Sequence, residues 1–295
     1  MPHALLTGAT GYIGSHVALE LQKNGWDIGI IARESSRLDR LEAMGVTADC
    51  HIYDGTLDSL IGAMTPKPDA VFHLAVYPVA QHKTEADIRN LISVDVLFGT
   101  FLLEAMRCCG VQRLIYASTV WQQIGGGYAP NSLYTATKQA YEDIVEYYCR
   151  CQGIRALSLR LTDNFGKDDT RRKVFNLIRN SAQSGELLKM SPGGQELDVL
   201  YIDDIAGGFV QAADITEHED CCNRKYTLTS GQVITLREFA EEYERISGQH
   251  PNIAWGSLPY REHEIMKVDL PDNVLPGWKP TVSLLQGIKR FAEES

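Results

Sequence analysis

Through the first two thirds of the chain, short continuous apolar runs alternate with longer stretches in which apolar positions recur every three or four residues. The runs Ala4-Leu5-Leu6-Thr7, Ile28-Gly29-Ile30-Ile31, Ala70-Val71-Phe72-His73, Leu114-Ile115-Tyr116-Ala117 and Ala156-Leu157-Ser158-Leu159 carry no charge, as strands covered on both faces require. Between them, Thr84 to Arg107 and Leu133 to Cys151 have the spacing of amphipathic helices. Such alternation predicts βαβ units and an α/β fold with a doubly wound parallel sheet.

Beyond Thr162 the pattern loosens. Gly185, Pro192-Gly193-Gly194 and the Pro-, Gly- and Trp-rich stretch from Pro251 to Pro280 interrupt shorter helical segments at Arg172 to Ser184, Asp203 to Ala213, Leu236 to Ser247 and Ser283 to Glu294. This predicts a sheet domain over residues 1–165, with a returning segment at about 195–225, and a smaller carboxy-terminal lobe made of 166–194 and 226–295.

Composition narrows the function classes. The 295 residues are 44% hydrophobic and 22% charged, which is ordinary globular usage, and no apolar run is long enough to span a bilayer. Met1-Pro2-His3 leads into Ala4-Leu5-Leu6 without the basic start and cleavage site of a secretion signal, so a soluble, cytoplasmic protein is expected. A net charge of −10 disfavours nucleic acid and anionic membrane as partners. A small phosphorylated ligand needs only local cations, and Arg171-Arg172-Lys173 supplies a cluster. The seven cysteines form no C-x-x-C and the histidines no metal-ligand spacing, so reduced thiols and no metal are expected.

Thr7-Gly8-Ala9-Thr10-Gly11-Tyr12-Ile13-Gly14 follows the first strand and opens a helix. Its glycines suit a tight turn, the approach of a pyrophosphate to the backbone, and close helix-to-strand packing. The helix amino terminus adds unpaired N–H groups and a favourable dipole, so a dinucleotide cradle is predicted. At the end of the second strand, where NAD-preferring sites place an acid, stands Arg33; a guanidinium there suits the 2′-phosphate of NADP(H). Glu34, the next residue, keeps NAD open.

Tyr134 and Lys138 stand four residues apart on one face of a predicted helix. A neighbouring ammonium favours tyrosinate, so Lys138 is expected to lower the Tyr134 pKa for proton transfer and also to bind a cofactor ribose. Upstream, Tyr116-Ala117-Ser118-Thr119 ends a strand at the carboxyl edge of the sheet, where hydroxyls meet a ligand. His73, on a buried strand, reads as hydrogen-bonded scaffolding, and Tyr77, His82, Gln122 and Gln123 as loop residues near the same edge.

With these pieces in place the chain resembles the extended short-chain dehydrogenase/reductases, the sugar-nucleotide epimerase/dehydratase family. The matching segments are Thr7 to Gly14, Phe72-His73-Leu74-Ala75, Ser118-Thr119, the Tyr134/Lys138 pair and Tyr201-Ile202-Asp203-Asp204. The resemblance implies a Rossmann-type sheet with a smaller substrate-binding lobe and Thr119, Tyr134 and Lys138 as catalytic residues. It implies cofactor contacts at Gly8, Thr10, Gly11, Tyr12, Ile13, Gly14, Arg33, Asp54, Gly55, Leu74, Ala75, Ser118, Lys138 and Leu161. Asp95 occupies a place where relatives often have asparagine and receives no catalytic role.

Within the family the chain is more similar to the reductases that make CDP-3,6-dideoxyhexoses, the CDP-abequose and CDP-paratose synthases. Ala80-Gln81-His82-Lys83, Trp121-Gln122, Asp168-Asp169-Thr170-Arg171 and Met190-Ser191-Pro192-Gly193 carry that similarity. It implies hydride delivery from NADPH to a 4-keto-6-deoxy sugar nucleotide in deoxysugar and lipopolysaccharide biosynthesis, with Tyr77, Trp121, Gln122, Asn164, Arg171 and Asn176 around the substrate. It also implies a homodimer through the helices Thr84 to Arg107 and Leu133 to Cys151.

Dehydratases of the family carry an Asp-Glu pair after the catalytic hydroxyl residue. Here Val120-Trp121 follow Thr119, and neither side chain transfers protons. A 4-epimerase holding NAD is the rival reading; a non-catalytic cofactor sensor is a second, which has no use for Thr119, Tyr134 and Lys138 together.

Overall fold

In the computed structural model, which describes residues 1–125, 127–218, 221–270 and 273–293, the first apolar run forms β1 (His3–Thr7). The glycine turn leads from it into α1 (Tyr12–Lys23), followed by β2 (Asp27–Ala32), α2 (Asp39–Ala43), β3 (Asp49–Ile52), α3 (Leu57–Gly62) and β4 (Ala70–His73). Next comes α4 (Glu85–Leu91), whose start is fixed by a capping box in which Thr84 Oγ1 accepts from the Asp87 N–H and Asp87 Oδ2 from the Thr84 N–H. A π-helical stretch, Ile92–Phe98, joins it to α5 (Gly99–Cys108). Then β5 (Arg113–Thr119) ends in a 3₁₀ turn, Val120–Gln122, and a small hairpin, β6 (Gln123–Ile124) with β7 (Gly127–Tyr128). The remainder is α6 (Leu133–Gln152), β8 (Arg155–Leu161), β9 (Asp163–Phe165), α7 (Val174–Ser184), β10 (Leu188–Lys189) and β11 (Glu196–Tyr201). It closes with α8 (Ile202–His218), β12 (Arg224–Leu228), β13 (Val233–Thr235), α9 (Leu236–Ser247), β14 (Ile253–Ala254) and α10 (Leu284–Glu293).

Seven strands pair in the order β12-β8-β5-β4-β1-β2-β3, every neighbouring pair parallel. Alternation along each strand sends residues to opposite faces. Leu6, Phe72, Ile115 and Leu157 form one cross-strand row packed with Val17 and Leu21 of α1 and Phe209 of α8. The adjacent row Leu5, Val71, Leu114 and Ala156 packs with Leu60 of α3, Leu102 of α5 and Val145 of α6. Both faces are therefore covered, and the strand order reverses between β1 and β4, the switch point at whose carboxyl end ligands bind. The predicted Rossmann-type fold is present, with β3 and β12 added at its two edges.

Two expectations change. The helix read as continuous from Thr84 to Arg107 is broken by the π-helical stretch, which buries Asp95. The segment Glu196–Tyr201 does not return to the main sheet: it pairs with β9 and β13, and the return is made by α8 and β12. Hydrogen bonds from Ser230 N–H and the Thr229 hydroxyl to the buried Asp198 carboxylate hold it there. Phe165, at the end of β9, packs its ring against Phe175, Tyr201, Phe239 and Phe291, drawing α7, β11, α9 and α10 into one aromatic core. The carboxy-terminal helix expected to reach Glu294 is described to Glu293; Glu294 lies outside the described residues. Among the described residues no helix is long and apolar enough to cross a membrane.

Candidate active site

The turn after β1 is built so that only glycine fits. Gly8 has φ +73°, and a Cβ on it would lie 2.6 Å from Ala75 N and 2.7 Å from Leu74 O. A Cβ on Gly14 would lie 2.1 Å from Gly8 O, so α1 sits directly on the turn. Gly11, whose N–H donates to Gly8 O at 3.0 Å, would meet only that oxygen, and its other side is open. No side chain caps the amino terminus of α1, and its first turn carries no acid. Free N–H groups, an unopposed helix dipole and a backbone stripped of side chains fit a dinucleotide pyrophosphate.

Thr7 ties this turn to the loop after β4. Its hydroxyl oxygen lies 2.7 Å from His73 Nδ1 and accepts from the Ala75 N–H at 3.3 Å. Burial, aided by the Lys138 charge, lowers the His73 pKa to about 3, so the imidazole is neutral scaffolding. At the end of β2, Arg33 and Glu34 are exposed, and the Arg33 N–H donates to Ser36 Oγ. Among the described residues the Arg33 guanidinium has no ion pair, whereas Arg37 is paired with Asp39. Asp54 Oδ1 accepts from the Thr56 hydroxyl at 2.6 Å and N–H at 2.9 Å, which lowers its pKa, and Gly55 beside it turns with φ +98°.

The first turn of α6 begins with a capping box: Ser132 Oγ accepts from the Thr135 N–H, and Thr135 Oγ1 from the Ser132 N–H. This sets Tyr134 and Lys138 on one face, with Lys138 Nζ 5.8 Å from the Tyr134 ring centre. Lys138 is buried, and among the described residues its ammonium makes neither ion pair nor hydrogen bond, which leaves it available to a ribose. Burial lowers its pKa, while Asp95 and Glu142 oppose the change. The expected lowering of Tyr134 is not what the site produces. Burial and then Asp95 push its phenol up, so Tyr134 is a neutral hydroxyl at physiological pH. Thr119 ends β5 beside Leu161 of β8; its Oγ1 accepts from the Trp121 N–H at 3.3 Å, so its own proton is free to be donated.

Several predicted contacts have other occupations. Gln122 is fully buried: in the amide orientation that satisfies both ends, its nitrogen donates to Ser118 Oγ and Thr119 O. It braces the strand end, because the 3₁₀ turn directs it inward. The Ser118 hydroxyl in turn donates to Glu142 Oε1 at 2.8 Å. Tyr77 gives its N–H to Asp95 and its hydroxyl to Asp87 at 3.0 Å. Arg171 is held by Asp169 through Nε and by Asn164 Oδ1 through Nη2, both at 2.8 Å, and lies 4.1 Å over the Tyr12 ring. Buried Asp169 needs that countercharge, so Arg171 braces Asp169 and Asn164. Asn176 Nδ2 donates to Arg171 O, and its buried Oδ1 has no partner. Trp121 remains half-buried at the end of β5.

Sequence reasoning did not anticipate a cleft just ahead of the turn that carries Tyr134. A cleft of about 860 Å³ opens beside Asn131 and Ser132, lined also by His263, Met266 and Lys267, and closed at one edge by Gly125 N–H donating to Asp269 Oδ2. The 263–269 segment has no periodic pattern, so nothing in the sequence announced it. Among the described residues no cluster of His, Cys, Asp or Glu could hold a metal ion.

Residues 4–223 match the family described as NAD dependent epimerase/dehydratase. The chain belongs to that family. A CDP-abequose synthase of Yersinia pseudotuberculosis is 27% identical over 270 residues, 90% of this chain and 91% of that protein. A putative UDP-glucose 4-epimerase of Methanocaldococcus jannaschii is 24% identical, covering 97% of this chain and 96% of its own. Among solved structures, the UDP-glucuronic acid 4-epimerase of Bacillus cereus, in complex with UDP-glucuronic acid and NAD, superposes with a TM-score of 0.85 at 21% identity, covering 99% and 98% of the two chains. The resemblance read from the glycine turn and the Tyr134/Lys138 pair is thus established at family level, and this epimerase/dehydratase-family enzyme shares the fold of its structural neighbours.

Proposed function

We propose that this enzyme uses NADPH to reduce the 4-keto group of a nucleotide-linked 4-keto-6-deoxyhexose, as CDP-abequose and CDP-paratose synthases do, within deoxysugar biosynthesis. The observation that carries the reading is Arg33, a solvent-facing guanidinium that has no ion pair among the described residues, at the carboxyl end of β2, where a 2′-phosphate is recognised. The glycine turn, Lys138, Asp54-Gly55 and the Leu74-Ala75 backbone would hold the dinucleotide.

Bound NADPH supplies a hydride to the carbonyl carbon. The chain supplies the rest: Tyr134 Oη gives its proton to the oxygen that becomes the alcohol, and Thr119 Oγ1 donates a hydrogen bond to that oxygen. A phenol held neutral is the form an acid needs at the start of a reduction. Trp121 is a wall for the sugar. The reading extends to a cytoplasmic homodimer, supported by exposed Ile88 on α4, Ile92 and Leu97 on the π-helical stretch and Tyr147 on α6.

Glu34 next to Arg33, and NAD in the UDP-sugar epimerase structures that superpose on this chain, support 4-epimerisation as a second reading. NADPH oxidation against CDP-, dTDP-, GDP- and UDP-linked 4-keto-6-deoxyhexoses separates the two. Stoichiometric consumption with one of them is expected. Tightly bound NAD released on denaturation, with no need of added reductant, would replace the reductase reading by the epimerase.

A further inference from the structure

At the amino edge of the main sheet, opposite the carboxyl edge where the glycine turn and Thr119 lie, three cations converge on a cleft of about 290 Å³. They are Lys67, ahead of β4, Arg113, the first residue of β5, and Arg155, the first of β8. Arg113 and Arg155 are register partners on neighbouring parallel strands, so their side chains leave the same face of the sheet side by side. Like charges so placed repel each other and destabilise the pairing. In a chain of net charge −10, three cations brought to one cleft call for a physical reason.

Part of that reason is structural. Arg113 is 8% exposed; its Nη2 donates to Ala213 O at 2.7 Å near the carboxyl end of α8, and Glu217 approaches it to 3.7 Å. That contact serves the helix dipole and occupies one side of the guanidinium. Among the described residues Arg113 Nη1 makes no hydrogen bond. Half-buried Arg155 and exposed Lys67 make neither an ion pair nor a side-chain hydrogen bond there, and a Cβ on Gly110 would meet Lys67 Nζ at 3.4 Å. The acid that lines the cleft, Asp69, is engaged by the backbone: its Oδ2 accepts from the His3 N–H at 2.7 Å. Within the cleft three positive charges therefore face one negative charge.

We propose that this cleft is a binding site for a phosphate group, separate from the active site. Two guanidinium forks and an ammonium suit the charge and the several acceptor oxygens of a phosphate dianion better than a single carboxylate. The volume stands at the lower end for ligand pockets, about 300 Å³, which admits inorganic phosphate or the phosphomonoester of a small metabolite and is too small to enclose a nucleotide sugar. A bound dianion also relieves the repulsion between Arg113 and Arg155, so occupancy stabilises the amino edge of the sheet. The site is independent of which reaction the active site performs.

Thermal unfolding titrated with inorganic phosphate, with chloride holding the ionic strength constant, tests it. A ligand that binds the folded chain raises the midpoint as its concentration rises. The wild type should show that rise, and Arg155→Ala and Lys67→Ala should each weaken the apparent phosphate affinity about ten- to a hundredfold, the usual loss for one charge-assisted contact. Should Arg155→Ala fail to fold, Lys67→Ala, the loss of an exposed side chain, decides alone. An equal response in the wild type and Lys67→Ala would mean that phosphate acts elsewhere, at the glycine turn or as a general salt effect, and overturns the proposal. So does a wild type that phosphate does not stabilise. Glycerol 3-phosphate separates the two sources of the ligand: binding tighter than that of inorganic phosphate assigns the site to a phosphomonoester, equal or weaker binding to the free ion.

Discussion

Arg160 Nη2 lies 2.7 Å from Glu142 Oε2, and the pair is sealed between β8 and α6, with Glu142 wholly buried under Ser118. Lys225 Nζ approaches the same carboxylate to 3.4 Å. Removing one partner of such a pair leaves a buried charge uncompensated, so Glu142→Ala should cost about 3–5 kcal/mol of stability in denaturant unfolding. Burial raises the Glu142 carboxyl, but Arg160, Ser118 and Lys225 outweigh it and leave it below its ordinary value. The folded pKa thus lies below the unfolded one, and the contribution is complete above the unfolded value and lost as the pH falls through the folded one. The stability gap between wild type and Glu142→Gln should shrink below about pH 4. A gap independent of pH would show that the pair is not ionic.

Tyr134→Phe removes one hydroxyl from a helix whose cap and packing it does not touch. Fold and dinucleotide binding should survive, while kcat drops by roughly a hundred- to ten-thousandfold, the usual share of general acid catalysis. Near wild-type turnover on the true substrate would remove Tyr134 from the reaction.

The glycine turn predicts a contrast between two Gly→Ala changes. At Gly14 the new Cβ would lie 2.1 Å from backbone oxygen of Gly8, so α1 must shift off the turn. Dinucleotide affinity should collapse, with a stability loss of about 1–3 kcal/mol. Gly62, in α3, meets nothing within 4 Å, so alanine there should leave affinity unchanged and stabilise by about 0.5–1 kcal/mol. Fluorescence titration with NADPH and thermal unfolding measure both.

Much of this was legible beforehand, because the signals were local. The five predicted strands lie in the sheet, and the cradle, the Tyr134/Lys138 pair and the helices from Leu133 and Leu236 fall where their spacing put them. What escaped depends on distant partners or on local turn geometry. β3 has three of its four residues exposed at a sheet edge and so lacks a continuous apolar run, and β12 opens with Arg224-Lys225. Asp95 stands in a stretch that reads as one continuous helix, and its burial follows from the π-helical stretch that the spacing did not announce. Gln122 and Arg171 read as polar residues beside a predicted ligand; their partners Ser118 and Asp169 are only four and two residues away, and it is the local turn geometry, which the sequence does not announce, that joins them. The upward shift of Tyr134 could not be read from a four-residue spacing, since it comes first from burial, with Asp95 from another element adding to it.

Arg33→Ala should weaken NADPH and leave NADH nearly unchanged, because a contact between a guanidinium and a 2′-phosphate is charge-assisted and has no counterpart in NADH. Losing one such bond is worth about 1.5–3 kcal/mol, roughly ten- to a hundredfold in Kd. Equal loss for both cofactors would make Arg33 structural.

The last expectation concerns what the site does not do: it should not create the ketone it reduces. Eliminating water across C5 and C6 of a sugar needs an acid and a base at those carbons in addition to the hydroxyls that act at C4. After Thr119 the chain offers Val120 and Trp121, and the next side chain, Gln122, is turned into the interior. None of the three exchanges a proton at neutral pH. A dehydratase must also return its hydride to the same sugar and gains nothing from a dissociable reductant, whereas an unpaired Arg33 suits one. CDP-glucose or dTDP-glucose incubated with the pure protein, with and without added NAD, should therefore stay unchanged by NMR. The matching 4-keto-6-deoxy derivative with NADPH should give a 4-hydroxy product, one reductant consumed per sugar. A 4-keto-6-deoxy sugar appearing in the first incubation would mean that an acid and base outside the Thr119 turn reach C5 and C6, and the 260s segment with His263, Glu264 and Lys267 along the cleft would be where to look for them.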